Sequence, residues 1–481
     1  MKAPAGGPVG TNGSAPRVVL LSTYDLGRQP FGLASPAAWL RRAGALVACN
    51  DLAVEPLNEE ALRGADFVAF HLPMHTATRL AAREVGRVRA LNPRARLGFF
   101  GLYAAMNEAY LRRLGADLVV GGEFERALGD WVTGEAPSAD TISLERLPFV
   151  TPDRSGLPEL SRYARVDLGD GRRMTVGYTE ASRGCKHMCR HCPIVPVYRG
   201  RFRVVPRAVV LADICQQIEA GARHITFGDP DFWNGIGHAI PIVRELHGEF
   251  PDVTYDVTIK IEHLLQHAEH LATLRDTGCL FVTSAVESVE DRVLRLLEKG
   301  HTRADFIEVA RRFREVGLAL HPTFVAFTPW MSVQGYLDLL KQISWLDLIE
   351  NLAPVQLAIR LLIPAGSRLL ELPDVRSLVG AFDEAALCHP WVHSDRRVDA
   401  LHREIEAMVR EATARGDQRA EIFERAWQIA GRSAGGRVPG TRRGRAAGAT
   451  ADGEARHAGF PHMAREPKRP PVPFLTEPWY C

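Results

Sequence analysis

The sequence predicts an α/β protein made of two successive strand–helix series. The first is a doubly wound parallel sheet over residues 17–135, the second a partial (β/α)6 barrel over 173–375, followed by a helical C-terminal segment over 376–430. Three observations predict it. Apolar runs of strand length alternate with stretches whose apolar residues recur every three or four positions. The alternation lapses over 136–172 and again after 430, where turn-formers or Gly, Ala and Arg take over. A chain of 481 residues with 46% hydrophobic and 24% charged content is long enough for two or three cores of ordinary composition.

The elements follow in order. "MKAPAGGPVGTNGSAP" (1–16) has no apolar core and is expected to be a flexible leader, not an export signal. "RVVLLSTY", "ALVACN", "DFVAFHLP", "ARLGFFG" and "ADLVVGG" are expected to be five buried strands. Helix-like stretches such as "SPAAWLRRAG", "TATRLAAREVGRVRAL" and "NEAYLRRLG" separate them, which makes the strands parallel. No G-x-G-x-x-G follows the first strand, which disfavours a dinucleotide site. Residues 136–172 are expected to be a linker. The second series comprises "MTVGYTEAS", "HITFGD", "VTYDVTIK", "CLFVTSAVES", "LHPTFVAFT" and "VQLAIRLLIP", with helices such as "RAVVLADICQQIEAGA" between. Chemistry in such a fold collects at the carboxyl ends of the strands. Residues 431–481 are expected to be a disordered basic linker and a Cys-terminated tail. The nine Lys/Arg against three Asp/Glu in 431–470 lack the interleaved aromatics of a nucleic-acid arm.

Net charge of +2 implies no general attraction to nucleic acid or membrane, and no apolar run has the length of about 18 residues that a span needs. Eight cysteines in so long a chain do not make a disulfide scaffold, so the expected compartment is the reducing cytoplasm. Cys49, Cys215, Cys279 and Cys388 sit singly in apolar contexts and read as inert buried thiols.

The remaining cysteines are different. "SRGCKHMCRHCP" places Cys185, Cys189 and Cys192 in C-x3-C-x2-C just after the first strand of the second series. A closed zinc site needs four ligands, which His187 or His191 would complete only with local strain, and no second cysteine hook exists. Three thiolates can instead hold three irons of a 4Fe–4S cube and leave one iron open to a small molecule. Residues 181–207 also carry Arg183, Lys186, Arg190, Arg199, Arg201, Arg203 and Arg207 with no Asp or Glu. These cations would ease reduction of an anionic cube, or simply form a solvated loop.

The cysteine spacing and the series around it resemble the signature and TIM-like barrel core of radical S-adenosylmethionine (SAM) enzymes. The resemblance implies a 4Fe–4S cluster on Cys185, Cys189 and Cys192. It implies SAM chelated to the open iron, and reductive cleavage to a 5′-deoxyadenosyl radical with electrons from an external flavodoxin- or ferredoxin-type donor. "FGDPDFWN" occupies the place of the acidic motif that receives the SAM amino group, so Gly228, Asp229 and Asp231 are candidates, although Gly-Gly-Glu is absent. "TSAVESVEDRVLRLLEKG" resembles the fourth-strand segment, with Ser284, Glu287 and Ser288 as candidates for the ribose; Ser288 also suits a helix cap. "QLAIRLLIPAGSRL" resembles the sixth strand, where Arg360 would face SAM or substrate.

The first series is similar to the cobalamin-binding domain of one large subfamily, and "GGEFERAL" resembles the segment that closes it. "YDLGRQPFG" lacks the histidine of D-x-H-x-x-G, so cobalamin here would bind without a ligand from that spot. The ending "FLTEPWYC" resembles radical SAM proteins with a Cys-Cys-Ala-Glu-Pro or Cys-selenocysteine-Ala-Glu-Pro tail, which implies a product continuing past Cys481 through a selenocysteine. The expected function is radical modification of an unknown small-molecule or peptide substrate. The alternatives are cobalamin-dependent methyl transfer and a non-catalytic iron–sulfur electron-transfer or zinc-binding scaffold.

Overall fold

A computed structural model describes residues 15–135, 140–435 and 472–476. Residues 1–14 of the leader expected over 1–16, most of the basic tail and Cys481 lie outside the described residues.

The first series forms β1 (Arg17–Ser22), β2 (Leu46–Asp51), β3 (Phe67–His71), β4 (Arg96–Phe100) and β5 (Leu118–Gly122), with a two-residue edge strand β6 (Ile142–Ser143). They pair in the order β2-β1-β3-β4-β5-β6, and every pairing is parallel. Alternation sends Val19, Leu21, Val68 and Phe70 into one core and Val18, Leu20, Phe67 and Ala69 into another. With a core on each face, the strands are continuously apolar in sequence.

The second series forms β7 (Arg165–Asp167), β8 (Arg173–Thr179), the short hairpin strands β9 (Ser182–Gly184) and β10 (Phe202–Val204), then β11 (His224–Phe227), β12 (Thr254–Thr258), β13 (Cys279–Glu287) and β14 (Ala319–Phe324). β8 and β11 to β14 are parallel neighbours in a seven-stranded sheet curled into a half-barrel. The expected sixth strand contracts to one parallel bridge, Phe327 to Arg360. Pro354 opens a 3-10 turn there, and the Gln356 side chain takes the Phe324 N–H at 2.9 Å that a sixth strand would use.

Helices Arg396–Arg415 and Arg419–Ser433 pack Leu401, Ile405 and Val409 with Ile422, Phe423 and Ala426 in the main core. Within the tail expected to be disordered, Phe474–Leu475 forms β15, antiparallel to β7 at the sheet edge. Among the described residues no helix is long and apolar enough to cross a membrane.

Candidate functional site

The three cysteines lie on the loop that follows β9, close to the carboxyl end of β8. Gly184 turns the chain into this loop at φ +72°, and a Cβ there would lie 2.4 Å from both the Arg201 carbonyl oxygen and the Tyr198 ring. Only glycine fits such a turn. Cys185 and Cys189 are buried, Cys192 is half-buried, and the described cysteines are all free thiols. Burial pushes the Cys192 thiol up to about 12, with Cys189 and Cys185 adding and Lys299 opposing. Burial likewise raises Cys185. Crowded buried thiols of this kind ionise only when a cation takes up their charge, which is the donor chemistry of a soft metal site. The three residues fit a cluster.

Several elements hold the loop. Asn234 Oδ1 accepts from the Lys186 N–H at 3.4 Å. The Arg190 N–H and guanidinium donate to the carbonyls of Leu297 and Leu296 at 3.0 and 2.9 Å, and Arg190 pairs with Glu298 at 2.6 Å. His191 Nε2 meets Glu287 Oε1 at 3.1 Å, and Lys299 Nζ reaches the same oxygen at 3.3 Å. Glu287 closes β13 in the left-handed region at φ 66°. That conformation costs on the order of 1 kcal/mol or more and is held by these partners. Burial raises the Glu287 carboxyl, but Lys299 and His191 outweigh it and bring it down to about 2, so it stays ionised. Lys299, 3% exposed, is therefore a buried cation facing Cys189 and Cys192. Its only trace in the sequence is the "EKG" ending of the β13 segment.

The seven loop cations do not act as one field. Arg183 is surrounded by Glu123, Glu125 and Glu180 at 3.2, 2.7 and 3.0 Å. Arg190 is paired as above, and Arg207 pairs with Glu245 at 2.9 Å. "GGEFERAL" thus places Glu123 and Glu125 against the approach to the cysteine loop, joining the two sheets. Three carboxylates around one guanidinium cannot all stay charged. Burial pushes Glu180 up to about 8 and raises Glu123.

The other sequence-predicted residues separate into groups. Gly228 and Asp229 line a cavity of about 410 Å³ within the curled sheet, beside Thr226, Asp256 and Thr283. Asp229 accepts from the Ala181 N–H at 3.0 Å and from the Ser182 hydroxyl, and burial lifts it to about 6. Asp231 is fully buried and faces His187 and His263. Ser284 donates to the Ile259 carbonyl at 2.6 Å. The Ser288 hydroxyl accepts from the Glu290 N–H at 3.1 Å, a turn cap before helix Asp291–Leu296. Arg360 stands elsewhere: it pairs with Asp399 at 2.8 Å, lies 3.6 Å over the Trp391 ring, and walls a cavity of about 1030 Å³ with Tyr24, Arg79, Tyr163 and His402.

A further cleft of about 240 Å³ lies at the carboxyl ends of β3, β4 and β5 and is bounded across the sheets by Tyr178, Glu180, Ser182 and Arg183. "YDLGRQPFG" contributes Asp25 and Arg28 to its wall. An imidazole comes instead from His71, at the end of β3. A Cβ on Gly32 would fall 2.0 Å from that ring, so glycine is what admits it. Burial pushes His71 down to about 3, and its Nδ1 has no hydrogen-bond partner. A histidine ending an otherwise apolar strand was the available signal.

Comparison with known proteins locates this machinery. Residues 179–328 match the family model described as the Radical SAM superfamily. The tRNA-2-methylthio-N(6)-dimethylallyladenosine synthase of Alkalilimnicola ehrlichii is 23% identical over 270 residues, 49% of this chain and 57% of that protein. The protein of the same name from Chlorobium chlorochromatii is 28% identical over 149 residues, 27% and 30% of the two chains. The chain thus spans about half or less of the length of these curated relatives. Among solved structures, the cobalamin-dependent SAM radical enzyme OxsB with aqua-cobalamin bound superposes with a TM-score of 0.64 at 15% identity, over 83% of this chain and 67% of that one. The radical SAM methyltransferase TsrM from Kitasatospora setae, with cobalamin and a [4Fe-4S] cluster bound, gives 0.55 at 18% identity, over 69% and 73%. These likenesses show the fold, both sheets included.

Proposed function

We propose that this chain, which carries a radical SAM domain over residues 179–328, is an enzyme that cleaves SAM reductively to modify a small-molecule or peptide substrate. One observation carries the reading: three mutually repelling thiols, two buried and one half-buried, share a single loop at the carboxyl end of the first strand of that domain. Cys185, Cys189 and Cys192 would hold a 4Fe–4S cluster. When bound, the cluster and SAM supply a 5′-deoxyadenosyl radical.

The chain's own residues do the rest. Lys299 sets a positive charge against the thiolates, and Glu287 holds Lys299 and His191 in place. Gly228 and Asp229 are assigned to the amino end of SAM, and Ser284, Glu287 and Ser288 to the ribose side; Asp231, fully buried against His187 and His263, is not assigned to SAM. Arg360 is assigned to the substrate, because it borders the cavity of about 1030 Å³ and not the cysteine loop. Electrons come from an external flavodoxin- or ferredoxin-type donor. The test is anaerobic reconstitution. Wild-type protein should hold about four irons per chain and release 5′-deoxyadenosine from SAM under dithionite. Cys189→Ala should lose both, and undiminished nucleoside release from that variant would refute the reading.

A second reading, cobalamin-dependent methyl transfer, is favoured by the His71 cleft. It lies between the carboxyl end of the first sheet and the approach to the cysteine loop, and its wall bears a neutral imidazole with an orphaned nitrogen. A corrinoid bound across this cleft, which at about 240 Å³ could take only part of one, would have His71 as the donor on its wall.

A further inference from the structure

The cysteine loop also carries a donor that thiolate chemistry does not use. His187 lies between Cys185 and Cys189, and its Nε2 is 3.5 Å from Oδ2 of Asp231. His263 Nδ1 is 2.7 Å from the same oxygen. The two imidazole centroids are 4.8 Å apart. The three ligand atoms lie within 4.8 Å of one another. Bonds of about 2.0–2.1 Å to a tetrahedral ion would set such donors about 3.3 Å apart.

A pair between one histidine and the carboxylate does not account for the group, since both imidazoles approach the same oxygen. His187 Nε2, Asp231 Oδ2 and His263 Nδ1 are all buried and all without a hydrogen-bond partner; even the 2.7 Å approach lacks the alignment of a bond. The Asp231 side chain is 0% exposed. Two imidazoles approach this buried oxygen and neither aligns an N–H with it, and an under-satisfied buried carboxylate costs about 1–3 kcal/mol. The surroundings hold the donors in place. Asp231 Oδ1 is occupied by the N–H groups of Trp233 and Lys260 at 3.3 and 3.4 Å, which leaves Oδ2 directed at the histidines. Glu262 stands 3.7 Å from His187 Nδ1, the arrangement in which a carboxylate orients an imidazole whose other nitrogen binds metal.

We propose that His187, Asp231 and His263 form a mononuclear site for a divalent transition-metal ion of the zinc class, separate from the three-cysteine site. Two imidazoles and one carboxylate suit such an ion and leave one position for water. The ion ties the cysteine loop through His187 to the segment after β11 and to helix Ile261–Gln266, a second anchorage beside the one at Glu287.

The full chain, loaded anaerobically with iron and sulfide, desalted and then exposed to zinc chloride, should hold about four irons and one zinc. Zinc-edge X-ray absorption of the wild type should show nitrogen and oxygen neighbours with imidazole scattering and no sulfur. His263→Ala and, separately, Asp231→Asn should bring zinc to near zero while iron is retained. No zinc in the wild type, sulfur in its shell, or zinc undiminished in both variants overturns the site, and the wild-type spectrum answers even where a variant fails to fold. If iron does not load but zinc enters a nitrogen/oxygen shell that both variants abolish, this site stands and the cluster reading falls.

Discussion

Arg183, two positions before Cys185, is 7% exposed and sits among three carboxylates and the rings of Phe31, Phe124 and Phe149. Such a cluster is stable only if some of its carboxyls keep their protons. Glu180, raised from 4.5 to about 8 by burial, is the group that does so. The folded chain then holds a proton that the unfolded chain releases. The resulting stabilisation is complete below about pH 4.5 and is lost as pH rises toward 8. Urea unfolding across that window should show wild-type stability falling with pH more steeply than that of Glu180→Gln, by up to about 1.4 kcal/mol per pH unit. Parallel profiles would show that Glu180 is ionised in the native state. None of this was legible in the loop sequence, where Arg183 is one of seven cations. Glu180 is its neighbour in the chain, but Glu123 comes from 60 residues upstream and, with Glu125, from the segment that follows β5 of the first sheet.

At the scale of elements, the strands were legible because each is a short apolar run, and burial on both faces makes such runs conspicuous. The sixth strand of the second series was not. "VQLAIRLL" has strand composition, yet Pro354 and the Gln356 side chain take the edge first. β15 failed in the opposite sense: two residues carry no periodicity, and their stability comes from their neighbours. Leu475 packs against the cluster of Val166, Val176 and Phe281, the Thr476 N–H donates to the Arg165 carbonyl at 2.8 Å, and the Arg419 guanidinium lies 4.2 Å over the Phe474 ring. Replacing Phe474 and Leu475 together with alanine should lower stability by about 1–2 kcal/mol in urea unfolding. An unchanged midpoint would mean that this segment does not dock on β7.

At the scale of the whole molecule, the carboxyl ends of two sheets face one another, and the cysteine loop, the His71 cleft and the Arg183 cluster lie in the space between them. This placement makes corrinoid binding a question about the assembled protein. Hydroxocobalamin added to the intact chain should bind with a shifted absorption spectrum, and His71→Ala should change that spectrum if the imidazole is the donor. Turnover should then yield S-adenosylhomocysteine beside 5′-deoxyadenosine. Absence of any binding at micromolar protein would discard the methyl-transfer reading and leave the radical SAM reading intact.

The sequence by itself determined the two strand–helix series and the three-cysteine loop, because period, run length and C-x3-C-x2-C spacing are local properties of a chain. The tertiary structure decided which charges neutralise one another, that Lys299 and not the arginine-rich loop faces the thiols, that Arg360 stands apart, and that His187, Asp231 and His263 meet. These depend on side chains tens of residues apart being brought within a few ångströms in a low-dielectric interior. There burial and contact set the charge of each group, and position along the chain says nothing about either.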